Sequence, residues 1–364
     1  MSSAILETRD LAIGYRLRHP GLGNRIKGQK HVDRIVADNL SLGLNEGELV
    51  CLLGPNGSGK STLMRTLAGV QKPIDGEVML SGNRLTRMTS KEIAKKMSLV
   101  LTERAITGNL SVYALVALGR YPYTGWMGTL SRHDEEIVRQ AIETTGIRRF
   151  VARHISDLSD GERQKVMIAR ALAQDTPVIM LDEPTAHLDL PNRIEVMQLL
   201  KRLAREQKKA VVMSTHELDL ALQAADGIWL MNFSTSEASK GSADIVTGMP
   251  EALVLDGRLE KAFHRNGFEF DRHSGSFRIH HEPTATIGLL GNGTEAYWTK
   301  RALERLGYHV VSEGSTVARR IELSGTNGSK CWRYSDGESC KAEEYSDLCA
   351  VVERLRRRGE NESA

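Results

Sequence analysis

The sequence predicts an α/β protein: a largely parallel sheet with a short strand pair and a helical stretch, followed by a small C-terminal α/β unit. Three observations predict it. Short apolar runs at 49–53, 178–181 and 210–213 lie between helix-permissive segments, the pattern of strands buried on both faces of a parallel sheet. The first run enters a glycine-rich loop, Gly54-Pro55-Asn56-Gly57-Ser58-Gly59-Lys60-Ser61-Thr62, and then a helical stretch, which is the layout of a βα unit. Beyond about residue 282 a fresh strand, glycine turn, helix and strand begin. A chain of 364 residues exceeds most single domains, so we expect a main domain over 1–281 and an accessory one over 282–364.

Taken in order, 5–15 and 32–53 alternate or run apolar as strands do, with a basic, glycine-containing insert at 16–34 between them that reads as a solvated loop. A strand pair is expected at 76–85, and helical patterns start at 91, 111–118 and 132–145, so that helices fill a subdomain over roughly 100–173. The core pattern fades at 234–248, and 250–279 reads as a short helix and a hairpin. In the C-terminal unit we expect a strand at 286–290, a helix at 295–306 and a strand at 308–311. A last helix is expected to place Tyr345, Leu348, Val352 and Leu355 on one face.

Apolar residues make up 40% of the chain and charged residues 26%, with a net charge of +3. No basic block is long or aromatic-laced enough to make nucleic acid the main partner. No apolar stretch approaches the roughly 20 residues of a membrane span, and the N-terminus lacks the pattern of a secretion signal. A cytoplasmic location is expected. Four cysteines are too few for a disulfide scaffold. Cys51 reads as a small buried hydrophobe, and Cys331, Cys340 and Cys349 as free thiols.

The loop at 54–62 binds the phosphates of a nucleoside triphosphate. Its spacing, G-x-x-x-x-G-K-[ST], lets the backbone approach phosphate closely and line it with N–H groups at a helix N-terminus. Lys60 brings a point charge to the β- and γ-phosphates, and the Ser61 hydroxyl suits Mg²⁺. Asp182 and Glu183 end the apolar run at 178–181, at the sheet edge where ligands bind. Asp182 would hold the metal, and Glu183 would orient or deprotonate the attacking water. His216 follows the next apolar run and is placed to donate to the γ-phosphate. A lone histidine there is more often structural, so its role leans on its neighbours.

Leu158-Ser159-Asp160-Gly161-Glu162 opens a helix expected over 163–173. With this segment the chain resembles the ATP-binding cassette ATPases: phosphate loop, signature at 158–162, acidic strand end at 178–183, the D-loop Ala186-His187-Leu188-Asp189 and switch histidine His216 occur in the family's order over roughly 1–280. The resemblance implies the P-loop cassette fold, with ATP and Mg²⁺ as cofactors and ATP hydrolysis as activity. It adds Tyr15 as the aromatic that stacks on adenine, and Ser159, Gly161 and Asp189 as further nucleotide-site residues. In that family the signature of one subunit caps ATP held by the other, so two copies of this chain are expected to form the working dimer.

Two departures stand out. The signature reads LSDGE instead of LSGGQ. The family's Q-loop glutamine is replaced by Thr102, whose hydroxyl is too short for the same contacts, and Glu103 or a water is expected to compensate. The segment 109–123 with Trp126 resembles cassettes that energise import of ferric siderophores, haem or cobalamin. Tyr121, Pro122, Tyr123 and Trp126 would then meet a membrane permease, although such a cluster is also what a core uses. A periplasmic binding protein would be an indirect partner, and the cassette would sit on the inner face of the cytoplasmic membrane. The rival readings are a nucleic-acid or ribosome-associated cassette ATPase and an exporter subunit. In the C-terminal unit Gly291-Asn292-Gly293-Thr294-Glu295-Ala296 fits a dinucleotide fingerprint with Glu313 downstream, but a tight turn explains these glycines equally well. We read the unit as regulatory or dimer-contacting.

Overall fold

The computed structural model describes residues 4–18, 31–101, 110–233, 243–263, 268–272, 275–279, 283–312, 317–324, 330–336 and 342–362. Thr102, Glu103, most of the basic insert, Glu313 and Cys340 lie outside the described residues.

The first strands are β1 (Leu6–Arg18), β2 (His31–Leu40), β3 (Gly43–Leu44) and β4 (Leu49–Leu53). The glycine loop and helix α1 (Lys60–Leu67) follow β4. Strands β5 (Asp75–Leu80) and β6 (Asn83–Arg84), helix α2 (Ser90–Ala94) and strand β7 (Met97–Val100) come next. The helical pattern starting at 91 therefore yields a single short turn pinned by a Thr89–Glu92 capping box. Helices α3 (Val112–Ala117), α4 (Arg132–Thr144) and α5 (Asp160–Ala173) form the expected helical subdomain. The main unit continues with β8 (Val178–Asp182), α6 (Leu190–Gln207), β9 (Ala210–Ser214), α7 (Leu218–Ala224), β10 (Gly227–Phe233) and β11 (Ala243–Gly248). Helices α8 (Pro250–Leu255) and α9 (Arg258–Phe263) follow, and β12 (Phe268–Asp271) and β13 (Ser276–Ile279) form a separate two-stranded sheet.

These strands make one sheet in the order β6-β5-β1-β2-β11-β10-β4-β9-β8-β7, with β3 added on β1. From β10 to β7 every pairing is parallel, whereas β6, β5, β1 and β2 pair antiparallel. Every residue of β4, β8 and β9 is buried, and the period-2 alternation of a strand explains how. Leu49, Cys51 and Leu53, Ile179 and Leu181, and Val211 and Met213 face one core with α5 and α6. Val50 and Leu52, Val178 and Met180, and Ala210 and Val212 face a second core with Leu63, Met64 and Leu67 of α1. Cys51 is a buried hydrophobe as expected, and burial, with Asp226 nearby, pushes its thiol up to about 12.

The chain divides into two compact units, Met1–His264 with Phe270–Phe277, and Arg265–Glu269 with Arg278–Ala364. The second contains β14 (Ala285–Leu290), α10 (Gly293–Arg305), β15 (Tyr308–Ser312), β16 (Arg320–Ser324), β17 (Cys331–Ser335), β18 (Glu343–Tyr345) and α11 (Leu348–Glu362). Its sheet runs β15-β14-β16-β17-β18 over a core of Ile287, Leu289, Leu303, Ile321, Trp332, Tyr334, Val351 and Leu355. Tyr345 belongs to β18 and not to the last helix. It packs on the same core because the edge strand and the helix share that face. Gly291 turns tightly against Leu323, where an added Cβ would lie 2.7 Å from that side chain. A close strand-to-helix turn thus accounts for this glycine.

Candidate functional site

Strands β4, β9 and β8 are neighbours and parallel, so the loops at their C-terminal ends converge. Gly59 caps α1 at φ 103. A Cβ there would lie 2.3 Å from Val36 Cγ1, so both conformation and space require glycine. The cap makes no side-chain hydrogen bond to the first turn, which suits a phosphate at that end. Ser58 Oγ, within the same loop, is the buried side-chain polar atom that lacks a partner among the described residues. A buried hydroxyl is rarely left so unless a ligand completes it.

Lys60 is buried and its Nζ donates to the carbonyl oxygens of Gly54 at 2.8 Å and Pro55 at 3.1 Å. Burial pulls its ammonium below the ordinary lysine value, while the charges of Glu183 and then Asp182 pull it back up. The carboxylates thus favour the charged form of the loop lysine against its desolvation. Ser61 Oγ lies 3.5 Å from Asp182 Oδ1. A hydroxyl and a carboxylate are hard oxygen donors, the kind that Mg²⁺ takes while it keeps several waters. Thr62 Oγ1 is 2.8 Å from the Tyr15 hydroxyl, which ties the half-exposed ring of Tyr15 to the start of α1.

Glu183 leaves β8 with φ 49, in the left-handed region. Its Oε1 is 2.7 Å from His216 Nε2, and both side chains are partly exposed. The turn sends Glu183 toward the histidine while Asp182 stays on the strand. In this way adjacent carboxylates reach different partners.

The signature helix α5 starts at Asp160, three residues earlier than expected, because Ser159 caps it. The Glu162 N–H donates to Ser159 Oγ at 3.3 Å, and Ser159 N–H and Oγ donate to Glu162 Oε2 at 3.0 and 3.2 Å. Glu162 is therefore the N3 member of a capping box, held below its usual pKa chiefly by the Ser159 N–H. Asp160 pairs with Arg163 at 3.1 Å. Each acidic residue of the unusual signature so has a local partner. Glu162→Ala is expected to lower stability by about 1 kcal/mol and Glu162→Gln by less than half of that, as thermal unfolding of the two variants would show.

Gly161 packs on the side chain of Asn192, where a Cβ would come within 2.7 Å of it. Asn192 is fixed by Asp189, whose Oδ1 accepts its N–H at 3.2 Å and its Nδ2 at 2.6 Å, capping α6. Asp189 is thus a helix cap in this structure and joins the signature turn to the D-loop. Arg193, not singled out by the sequence, donates from Nε to Leu188 O at 2.7 Å and pairs with Glu217 at 2.6 Å. It connects the D-loop to the residue after His216, a link between segments too distant in sequence to read from a motif.

The aromatic cluster splits. Tyr123 lies under the Arg120 guanidinium, 3.9 Å from ring centre to Cζ, and burial raises its phenol pKa. Tyr121 and Trp126 are 75% and 97% exposed. Only part of the cluster is therefore free to meet another protein.

Residues 37–186 match the ABC transporter family and residues 284–356 the iron ABC transporter C-terminal domain. An ABC transporter ATP-binding protein of Methanocaldococcus jannaschii is 35% identical over 310 residues, 84% of this chain and 98% of the relative. A siderophore transport ATP-binding protein of Bacillus subtilis is 33% identical over 73% of this chain and 88% of its own length. A cobalamin import ATP-binding protein of Halobacterium salinarum is 31% identical over 84% of this chain and 78% of its own length. Among solved structures, a metal-chelate-type ABC transporter in an inward-facing conformation is 26% identical with a TM-score of 0.58, covering 76% of this chain and 96% of that one. A dimeric ATP-binding cassette in a post-hydrolysis state, bound to ADP and phosphate, is 26% identical with a TM-score of 0.54, covering 67% and 98%. The chain belongs to the ATP-binding cassette family, as a transporter ATP-binding protein that hydrolyses ATP.

Proposed function

We propose that this chain is the subunit that binds and hydrolyses ATP for an importer of ferric siderophore, haem or cobalamin across the cytoplasmic membrane. The observation that carries the site is the convergence of Lys60, Ser61, Asp182, Glu183 and His216 at the ends of β4, β8 and β9. The similarity to siderophore and cobalamin import proteins, and the match of 284–356 to an iron transporter C-terminal domain, support the cargo class. We place the boundary between cassette and accessory domain at 281/282, near the start of that match.

In this reading Gly54, Pro55, Asn56, Gly57, Ser58, Gly59 and Thr62 shape the phosphate loop. Lys60 trades its two carbonyl partners for phosphate oxygens. Ser61 and Asp182 would hold Mg²⁺, which when bound neutralises charge on the β- and γ-phosphates. Glu183 takes the proton of the attacking water, and His216 donates to the γ-phosphate. Tyr15 stacks on the adenine. One chain carries one phosphate loop and one signature turn, so Ser159 and Gly161 of a second copy complete the site and the working form is a homodimer. For this the Ser159 hydroxyl gives up its bond to Glu162 in exchange for phosphate. Closure and release of that dimer transmit force to integral-membrane permease subunits through the face bearing Tyr121 and Trp126. A periplasmic substrate-binding protein delivers the cargo, and the cassette works at the cytoplasmic side. No helix among the described residues is long and apolar enough to cross a membrane.

The test is reconstitution of the chain with its permease in liposomes. ATPase activity should rise severalfold when a binding protein presents one of these metal chelates. Co-purification with nucleic acid or ribosomes in place of a permease would overturn the reading.

A further inference from the structure

We propose that Ser214 is a positioning residue of the ATPase site, holding the Asp182 carboxylate in place and locking the left-handed turn at Glu183. The inference rests on the roles proposed above for these two carboxylates. Ser214 ends β9, paired across the sheet with Leu52 on one side and Asp182 on the other. Its side chain is fully buried. Ser214 Oγ lies 2.6 Å from Asp182 Oδ1 and 2.9 Å from Glu183 N. An ionised carboxylate only accepts and an amide N–H only donates, so the hydroxyl must give its proton to Asp182 and receive that of Glu183. Ser214 O also accepts the Glu183 N–H, at 3.2 Å.

One buried hydroxyl oxygen thus links the Asp182 carboxylate to the backbone N–H of Glu183. Both links bear on the chemistry. Asp182 Oδ1 is the same oxygen that faces Ser61 Oγ at 3.5 Å, so the Ser214 bond fixes the donor that would meet the metal. Glu183 is a non-glycine residue at φ 49, a conformation that persists only where surroundings over-determine it. Ser214 supplies two acceptors to that one N–H, and the turn they hold aims Glu183 at His216. Without the hydroxyl, Asp182 would lose its short charge-assisted bond and Glu183 half of its backbone anchor. Ser214 itself need not touch nucleotide.

The test compares Ser214→Ala and Ser214→Cys with the unchanged full-length chain. For Ser214→Ala, kcat should fall about tenfold or more and the Mg²⁺ concentration for half-maximal activity should rise about fivefold, in line with other residues that orient metal ligands. Affinity for a fluorescent ATP analogue measured in EDTA should stay within about twofold, because the loop that grips phosphate is untouched. The thiol of Ser214→Cys is near in size but a weak donor, so this variant should lie between the other two in Mg²⁺ requirement. Two results would overturn the proposal: a kcat and Mg²⁺ requirement both within twofold of unchanged in Ser214→Ala, or a metal-free affinity of that variant that falls as far as kcat. If Glu183→Gln proved active, the reading of the site would fail instead, which separates the two claims.

Discussion

Replacing Glu183 with Gln is expected to lower kcat for ATP hydrolysis by about 10²- to 10⁴-fold while ATP affinity stays within about threefold. The side chain keeps its shape, and a carboxamide oxygen still reaches His216 Nε2, now 2.7 Å from Glu183 Oε1. What disappears is the basic oxygen proposed above to take the water proton. A loss of this size corresponds to about 3–5 kcal/mol of transition-state stabilisation. Ground-state binding changes less because phosphate is held elsewhere, by the loop and Lys60. Glu183 does contribute there indirectly: its charge is the larger of the two that favour the charged form of Lys60, with Asp182 second. Asp182 remains in the variant, which keeps the loss of affinity small. Phosphate release at saturating ATP measures kcat, and a fluorescent analogue measures binding. A variant that keeps a tenth or more of the activity would remove Glu183 from the role of base. If ATP also traps two copies of the variant together, gel filtration with ATP and Mg²⁺ will show a dimer that the unchanged protein forms only transiently.

The groups of the candidate site were legible in the sequence because they fall in contiguous runs. A loop that must wrap phosphate takes all its groups from 54–62, and a sheet edge presents Asp182 and Glu183 as the last residues of an apolar run. The positions that hold those groups were not legible. Ser214 reads as the end of a buried strand, and only the pairing of β9 with β8 shows which oxygen it serves. Arg193 reaches Leu188 and Glu217 through the fold. Asp160 and Glu162 looked like departures from a pattern until the ion pair with Arg163 and the capping box with Ser159 gave each a local role. Strands β4, β8 and β9 of the main sheet were visible because both of their faces are apolar. Strands β16, β17 and β18 were missed because Arg320, Glu322, Arg333, Glu343 and Glu344 break up their apolar positions. A sheet covered on one face needs only every second residue to be apolar, as Ile321, Trp332 and Tyr334 are.

Asp134→Ala is expected to destabilise the cassette by about 3–5 kcal/mol, the cost of leaving a buried charge without its partner. Arg120 is 3% exposed at its side chain, and its Nε donates to Asp134 Oδ1 at 2.8 Å. The guanidinium also donates from Nη1 to Ala173 O at 3.0 Å and stacks on Tyr123, so it cannot swing out to water without breaking the end of α5. Asp134 in turn caps α4 with Ser131. Its hydrogen bonds to the Ser131 hydroxyl and N–H, and then to Arg120, hold its carboxyl at about 2, against an ordinary 3.8. Because the folded-state pKa is the lower one, the pair contributes fully above pH 3.8, and its contribution is lost as pH falls toward 2. The unfolding midpoint should drop by on the order of 10 °C in Asp134→Ala at neutral pH, and the difference from the unchanged protein should shrink below pH 3.8. A double variant, Arg120→Met with Asp134→Leu, should recover much of the loss, since no charge is then stranded. Equal destabilisation of the single and double variants would show that packing and not the ion pair holds this segment. The same segment carries Tyr121 and Trp126. A cassette weakened here should therefore keep ATP hydrolysis at low temperature yet lose stimulation by its permease, separating the engine from its coupling.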